Sequence, residues 1–180
     1  MADGLTGTSF DDTALPVSGA GSVYPVQARH TDRHATSESH VFGTVTGGLA
    51  ATQISEDALQ AITEELSGAN PAARFSRLEH RWTINVAAGS QVELHVEGFR
   101  TNSSDGDNFH FEYSTNGGTS FTPVALGPLA LADDVTDLLG LLPATLTGNV
   151  LFRVVDTNRT PGTQSLDTVS IDELFVRSVP

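Results

Sequence analysis

The stretch "LEHRWTINV", residues 78–86, alternates without a break: Leu78, His80, Trp82, Ile84 and Val86 fall on one side, Glu79, Arg81, Thr83 and Asn85 on the other. A β-strand sends successive side chains to opposite faces, so a period of two describes a strand with one face on a core and one on water. The pattern returns in "QVELHVEGF", with Val92, Leu94 and Val96 inward, and in "NFHFEYS", with Phe109, Phe111 and Tyr113 inward. Further β-branched runs, "NVLFRVVD" and "DTVSIDELFVRS", follow near the C-terminus, and Gly, Asn, Asp and Pro corners separate all of them. No amphipathic helix of crossover length separates successive runs, so the strands are expected to pair antiparallel. The fold class predicted is all-β, an antiparallel β-sandwich with Trp82 in its core.

The chain is 180 residues long, the size of one domain with an additional segment. Residues 1–40 are dense in Gly, Ser, Thr, Asp and Ala with no sustained period, and read as a linker or poorly ordered, flexible N-terminal arm ahead of a module at 41–180. Two stretches are ambiguous. "SEDALQAITEEL" places Ala58, Leu59, Ile62 and Leu66 at helical spacing, yet "QAITEEL" also reads as a short strand. "LADDVTDLLGLLPATL" is expected to be helical or irregular, stopped by Gly140 and Pro143.

Nine basic residues, all arginine, face 22 acidic ones, for a net charge of −13. Nucleic acid and anionic lipid draw protein affinity from cationic side chains, so neither is an expected partner. No run approaches the roughly 20 apolar residues of a membrane span, and none is expected to insert. The absence of cysteine removes disulfides, thiolate metal sites and thiol nucleophiles together.

Acidic loops are the strongest chemical signal. "NSSDGDNF" sets Asp105 and Asp107 around Gly106, where a turn can aim both carboxylates at one hard cation, and "VVDTNRTPGTQSLDTVSID" adds Asp156, Asp167 and Asp172. Calcium takes oxygen donors in irregular loop geometry, so a structural Ca2+ is the expected cofactor. The same residues also favour any tight turn. His30, His34 and His40 in "RHTDRHATSESH" are weighed as a metal clasp against a polar linker. His80, beside Trp82, reads as a hydrogen-bonded core histidine, and His95 as an outward one.

No catalytic motif is present, and the chain is expected to have no activity of its own; an acid–base pair drawn from Glu93, Glu97 and Glu112 on one sheet face is the alternative. With its single Trp facing inward, the chain offers no flat aromatic platform. Sugar contact is therefore assigned to the polar sheet face around Glu79, Arg81, Glu93, His95, Glu97, His110, Glu112 and Arg153, or to Phe121.

Three motifs together carry a resemblance. "GDNFHFEYSTNGGTSFTPV", "RLEHRWTINVAAGSQVELHVEGFRTNSSDGD" and "LFRVVDTNRTPGTQSLDTVSIDELFVRS" resemble successive parts of extracellular bacterial jelly-roll modules, over residues 43 to 178. Such modules are similar to calcium-containing carbohydrate-binding modules and accompany catalytic domains in secreted proteins. The resemblance implies a jelly roll, export to the extracellular space or cell surface, polysaccharide as a partner and a calcium between first and last strands. Carried over by position, that calcium falls on Glu64 or Glu65 in "ITEEL" and Asp172 in "SIDEL". The resemblance also favours "QAITEEL" as a strand.

Overall fold

A computed structural model describes residues 29–68 and 70–180. The expected arm at 1–40 falls outside these residues except at its end. The strands are β1 (Thr31–Phe42), β2 (Thr44–Thr46), β3 (Gln60–Thr63), β4 (Glu65–Leu66), β5 (Ser76–Arg77), β6 (Glu79–Val86), β7 (Gln91–Arg100), β8 (Phe109–Ser114), β9 (Thr122–Pro123), β10 (Asp137–Leu142), β11 (Gly148–Asp156) and β12 (Thr168–Val179). Among them every ladder is antiparallel. One layer runs β10-β7-β12, with β12 also paired to β3 and to the start of β1; the other runs from the end of β1 through β6, β11, β8 and β9.

The alternating residues form the core between the layers. Val92, Leu94, Val96, Leu174 and Val176 on one side meet Trp82, Ile84, Phe152, Val154 and Phe111 on the other, all buried. The fold is an antiparallel all-β sandwich, as the alternation requires. Among the described residues no helix is long and apolar enough to cross a membrane.

Two expectations are corrected. Residues 31–40 are strand, not linker: β1 pairs with β12 over Thr31–His34 and with β6 over Ala35–Phe42, passing between layers at a bulge after Ala35. Of its twelve residues only Ala35 is buried, so its stability comes from main-chain ladders and carries no hydrophobic alternation. "DLLGLL" is strand β10 on β7, not a helix. Its buried positions, Gly140 and Leu142, are two apart, but the alternate positions Leu139 and Leu141 are exposed and apolar, which hides the period. The segment "QAIT" is strand β3, as the resemblance implies.

Gly98 shows where the sheet requires a missing side chain. Opposite it, β12 bulges between Ile171 and Glu173, leaving Asp172 as the extra residue. A Cβ at Gly98 would lie 2.4 Å from the Ser170 carbonyl oxygen, which cannot retreat without parting the β7–β12 ladder. Gly98→Ala is expected to cost about 1–3 kcal/mol, read as a lower urea midpoint with unchanged slope. An unchanged midpoint would show that the bulge can relax.

Candidate metal centre

Two non-local registers bring acidic loop ends together. Asp156, the last residue of β11, is opposite Phe109, so Asp107 lies two positions beyond the start of β8, beside it. On the other layer Thr63 is opposite Thr168, which sets Glu64 beside Asp167, each just past the ladder. The Glu64 amide donates to the Asp167 carbonyl (3.0 Å), and the Asp167 amide donates to Glu64 Oε2 (2.8 Å).

The result is a buried triad. Carboxylate oxygens of Glu64, Asp107 and Asp156 lie within 4.8 Å of one another, and this triad can hold a metal ion. Asp167 is buried next to it. Each of three carboxylates commits one oxygen to the protein. Asp107 Oδ1 accepts from the amides of Asn108 and Thr157 and from the Thr157 hydroxyl; Glu64 Oε2 accepts from Asp167; Asp167 Oδ1 accepts from the Thr101 hydroxyl. The second oxygens, Glu64 Oε1, Asp107 Oδ2 and Asp167 Oδ2, are buried with no hydrogen-bond partner among the described residues. Asp156 differs, because Arg159 grips both its oxygens (3.0 and 3.1 Å) and the Leu78 amide donates to Oδ1.

Magnitudes decide what this means. An unsatisfied buried acceptor costs about 1–3 kcal/mol, more when charged, so three together cost roughly 3–9 kcal/mol or more. A domain's whole stability is only about 5–15 kcal/mol. Among the described residues Arg159 offsets one charge of these four carboxylates, which favours a further cation or a proton at the centre. Burial pushes the Glu64 carboxyl up to about 8 against the pull of the Asp167 amide, and the charges of Asp107, Asp156 and Asp167 push it the same way.

Of the metal ligands expected from sequence, Glu64 and Asp107 are in the triad and the other three are elsewhere. Glu65 faces away and takes two N–H bonds from Arg77, because adjacent residues of an extended chain point oppositely. Asp105 caps its own loop, accepting from the Ser103 hydroxyl and the Ser165 amide. Asp172 is the bulged residue of β12, and its carboxylate accepts from the Glu56 amide. Asp156 completes the triad, and Asp167 lies beside it. Both stood out as loop carboxylates, but only the pairing of β11 with β8 and of β12 with β3 selects them.

The expected polar face is divided between opposite layers. Arg81, Glu112 and Arg153 lie outside the β6-β11-β8 layer in one ion-pair network: Arg81 and Arg153 both reach Glu79, Arg153 also holds Glu112 (2.7 Å), and His110 sits 3.1 Å from Glu112. The Phe121 ring covers the Arg153 guanidinium at 3.6 Å. Glu93, His95 and Glu97 lie outside the other layer, on β7. His95 is outward but buried, because Phe175 stacks on it at 4.6 Å while Asp137 and Glu93 close over its two ring nitrogens. An acid–base pair uniting Glu112 with Glu93 or Glu97 is therefore not assembled.

His30, His34 and His40 do not converge either. His34 pairs with Glu173 on one layer, and His40 faces His80 on the other. His80 is a buried, hydrogen-bonded histidine as expected, and burial pushes its pKa down against the pull of Glu38. No protein-family model matches the chain, and no curated protein matches it.

Proposed function

We propose that this chain is a non-catalytic accessory module of an exported protein: a β-sandwich stapled by a structural calcium ion, which binds polysaccharide. The observation that carries it is the set of three buried, partnerless carboxylate oxygens around one triad. The donors are all oxygen and arise from loop ends, a set suited to a hard cation of flexible coordination, with backbone carbonyls and water completing the shell. Such an ion ties the end of β3 to the loop that precedes β8 and to the end of β11.

Polysaccharide is the partner implied by the resemblance of the "FHFEYSTNGGTSF" hairpin and its flanking strands. The locked state of Glu112 between Arg153 and His110 favours a structural over an acid–base role for that carboxylate. A second reading, an adhesive domain with protein partners, is favoured by Leu139 and Leu141, 46% and 65% exposed on edge strand β10. Affinity electrophoresis through gels holding soluble polysaccharides, with pull-down on insoluble ones, separates the two. Retardation in at least one polysaccharide is expected; migration unchanged in all would leave the adhesive reading.

A further inference from the structure

A groove of about 390 Å³ opens at the end of the sandwich where β8 turns into β9 and β10 into β11. Asp156 of the metal centre is at the other end of the nine-residue strand β11, eight positions from Gly148, or roughly 26 Å along an extended strand. Tyr113, Thr115, Thr122, Thr145, Leu146 and Thr147 line the groove. Among the described residues no charged side chain lines it, in a chain with 22 acidic residues.

The lining has a definite chemistry. Leu146 is buried and gives an apolar floor, its amide held by the Pro143 carbonyl at 2.9 Å. Tyr113 is half-buried, and its ring lies 6.4 Å from Phe152, so the core holds it from behind. The four threonines are exposed, and each hydroxyl can both donate and accept. Among the described residues none of the four is hydrogen-bonded through its side chain.

A sugar ring has the matching character: a C–H face that packs on an aromatic ring and a rim of hydroxyls that both donate and accept. An anionic sugar would find no cation here, and a purely apolar ligand would strand hydroxyls without partners. The volume is at the lower end of the roughly 300–1,000 Å³ typical of small-molecule sites, space for about one or two rings. We infer that this groove is the subsite for an uncharged sugar unit of a polysaccharide. This rests on the polysaccharide reading above and gives it a place and a charge class.

The test uses the full chain in calcium, with soluble β-glucan, xylan and galactomannan as neutral probes and polygalacturonate as the anionic one. Binding to at least one neutral probe and none to polygalacturonate is expected. Tyr113→Ala weakens that binding about tenfold, the scale of one lost aromatic contact. Thr145→Val, an exposed and nearly isosteric change that leaves the fold intact, weakens it as well. Both variants keep the wild-type calcium-dependent rise in Tm, since the metal centre is at the other end. If the wild type binds a neutral probe and Thr145→Val and Tyr113→Ala bind it equally well, the subsite is wrong while the polysaccharide reading stands. A wild type that binds only polygalacturonate also overturns the subsite alone, whereas one that binds no probe removes both.

Discussion

Calcium at millimolar concentration is expected to raise the Tm of the chelator-treated protein by roughly 10 °C. A ligand that binds only the folded state at about 1,000 times its Kd contributes about 4 kcal/mol, and for a domain of this size each kcal/mol moves Tm by about 2–4 °C. The response has a sharper signature in Glu64→Gln. That variant avoids the proton which wild-type Glu64, held up at about 8 by burial and by the charges of Asp107, Asp156 and Asp167, must take up on folding without metal at neutral pH. It therefore melts higher than the wild type in chelator at neutral pH, yet loses most of the calcium-dependent rise. A merely structural glutamate would give the opposite sign in chelator.

The pH dependence follows from the same carboxyl. In the metal-free folded protein burial holds Glu64 up at about 8, while unfolded it titrates near its ordinary value of 4.5. Between these values the folded state binds the extra proton, so stability falls as pH rises. The contribution is fully present below about 4.5 and is lost as pH rises through about 8. Thermal melts in chelator at stepped pH should show this decline in the wild type and its absence in Glu64→Gln. A calcium rise that survives in Glu64→Gln, or no rise in the wild type, would dismiss the metal centre.

Trp82→Ala is expected to lose about 3–5 kcal/mol from the cavity, enough to leave the domain largely unfolded at physiological temperature. Trp82 is fully buried, lies 4.7 Å from His80 and stacks with Phe111. It also anchors a polar chain that runs from the core to the surface at Glu38: its indole N–H donates to Gln60 Oε1 (2.8 Å), Gln60 Nε2 donates to Glu38 Oε2, and His80 Nε2 meets the same oxygen at 3.1 Å. Trp82→Phe separates the two effects. It keeps most of the volume but strands the Gln60 oxygen, at a cost of about 1–3 kcal/mol. Adding Gln60→Leu to Trp82→Phe removes that stranded acceptor and restores part of the loss. Urea denaturation of the single and double variants measures the coupling; strict additivity would mean that the indole hydrogen bond contributes nothing.

Much of the fold was legible in the chain. Leu78, Trp82, Ile84, Val92, Leu94, Val96 and Phe111 were placed inward by alternation and are buried. Strand β1 was not legible, because "TDRHATSESH" buries a single side chain and is held by main-chain bonds to two neighbours. His95 shows the limit of alternation from the other side. Facing outward does not expose a residue when cross-strand neighbours such as Phe175 and Asp137 lie over it.

The sequence by itself determined the alternating strands β6, β7 and β8, their inward faces and the supply of acidic loops, because these depend on residues a few positions apart. The tertiary structure alone decided that Glu64 meets Asp107 and Asp156, while Glu65, Asp105 and Asp172 turn elsewhere. A period of two says which face a side chain takes, but not which distant strand lies opposite or in what register. The candidate metal centre is set by two such registers, Phe109 against Asp156 and Thr63 against Thr168, each closing a loop of distant chain around the same buried point.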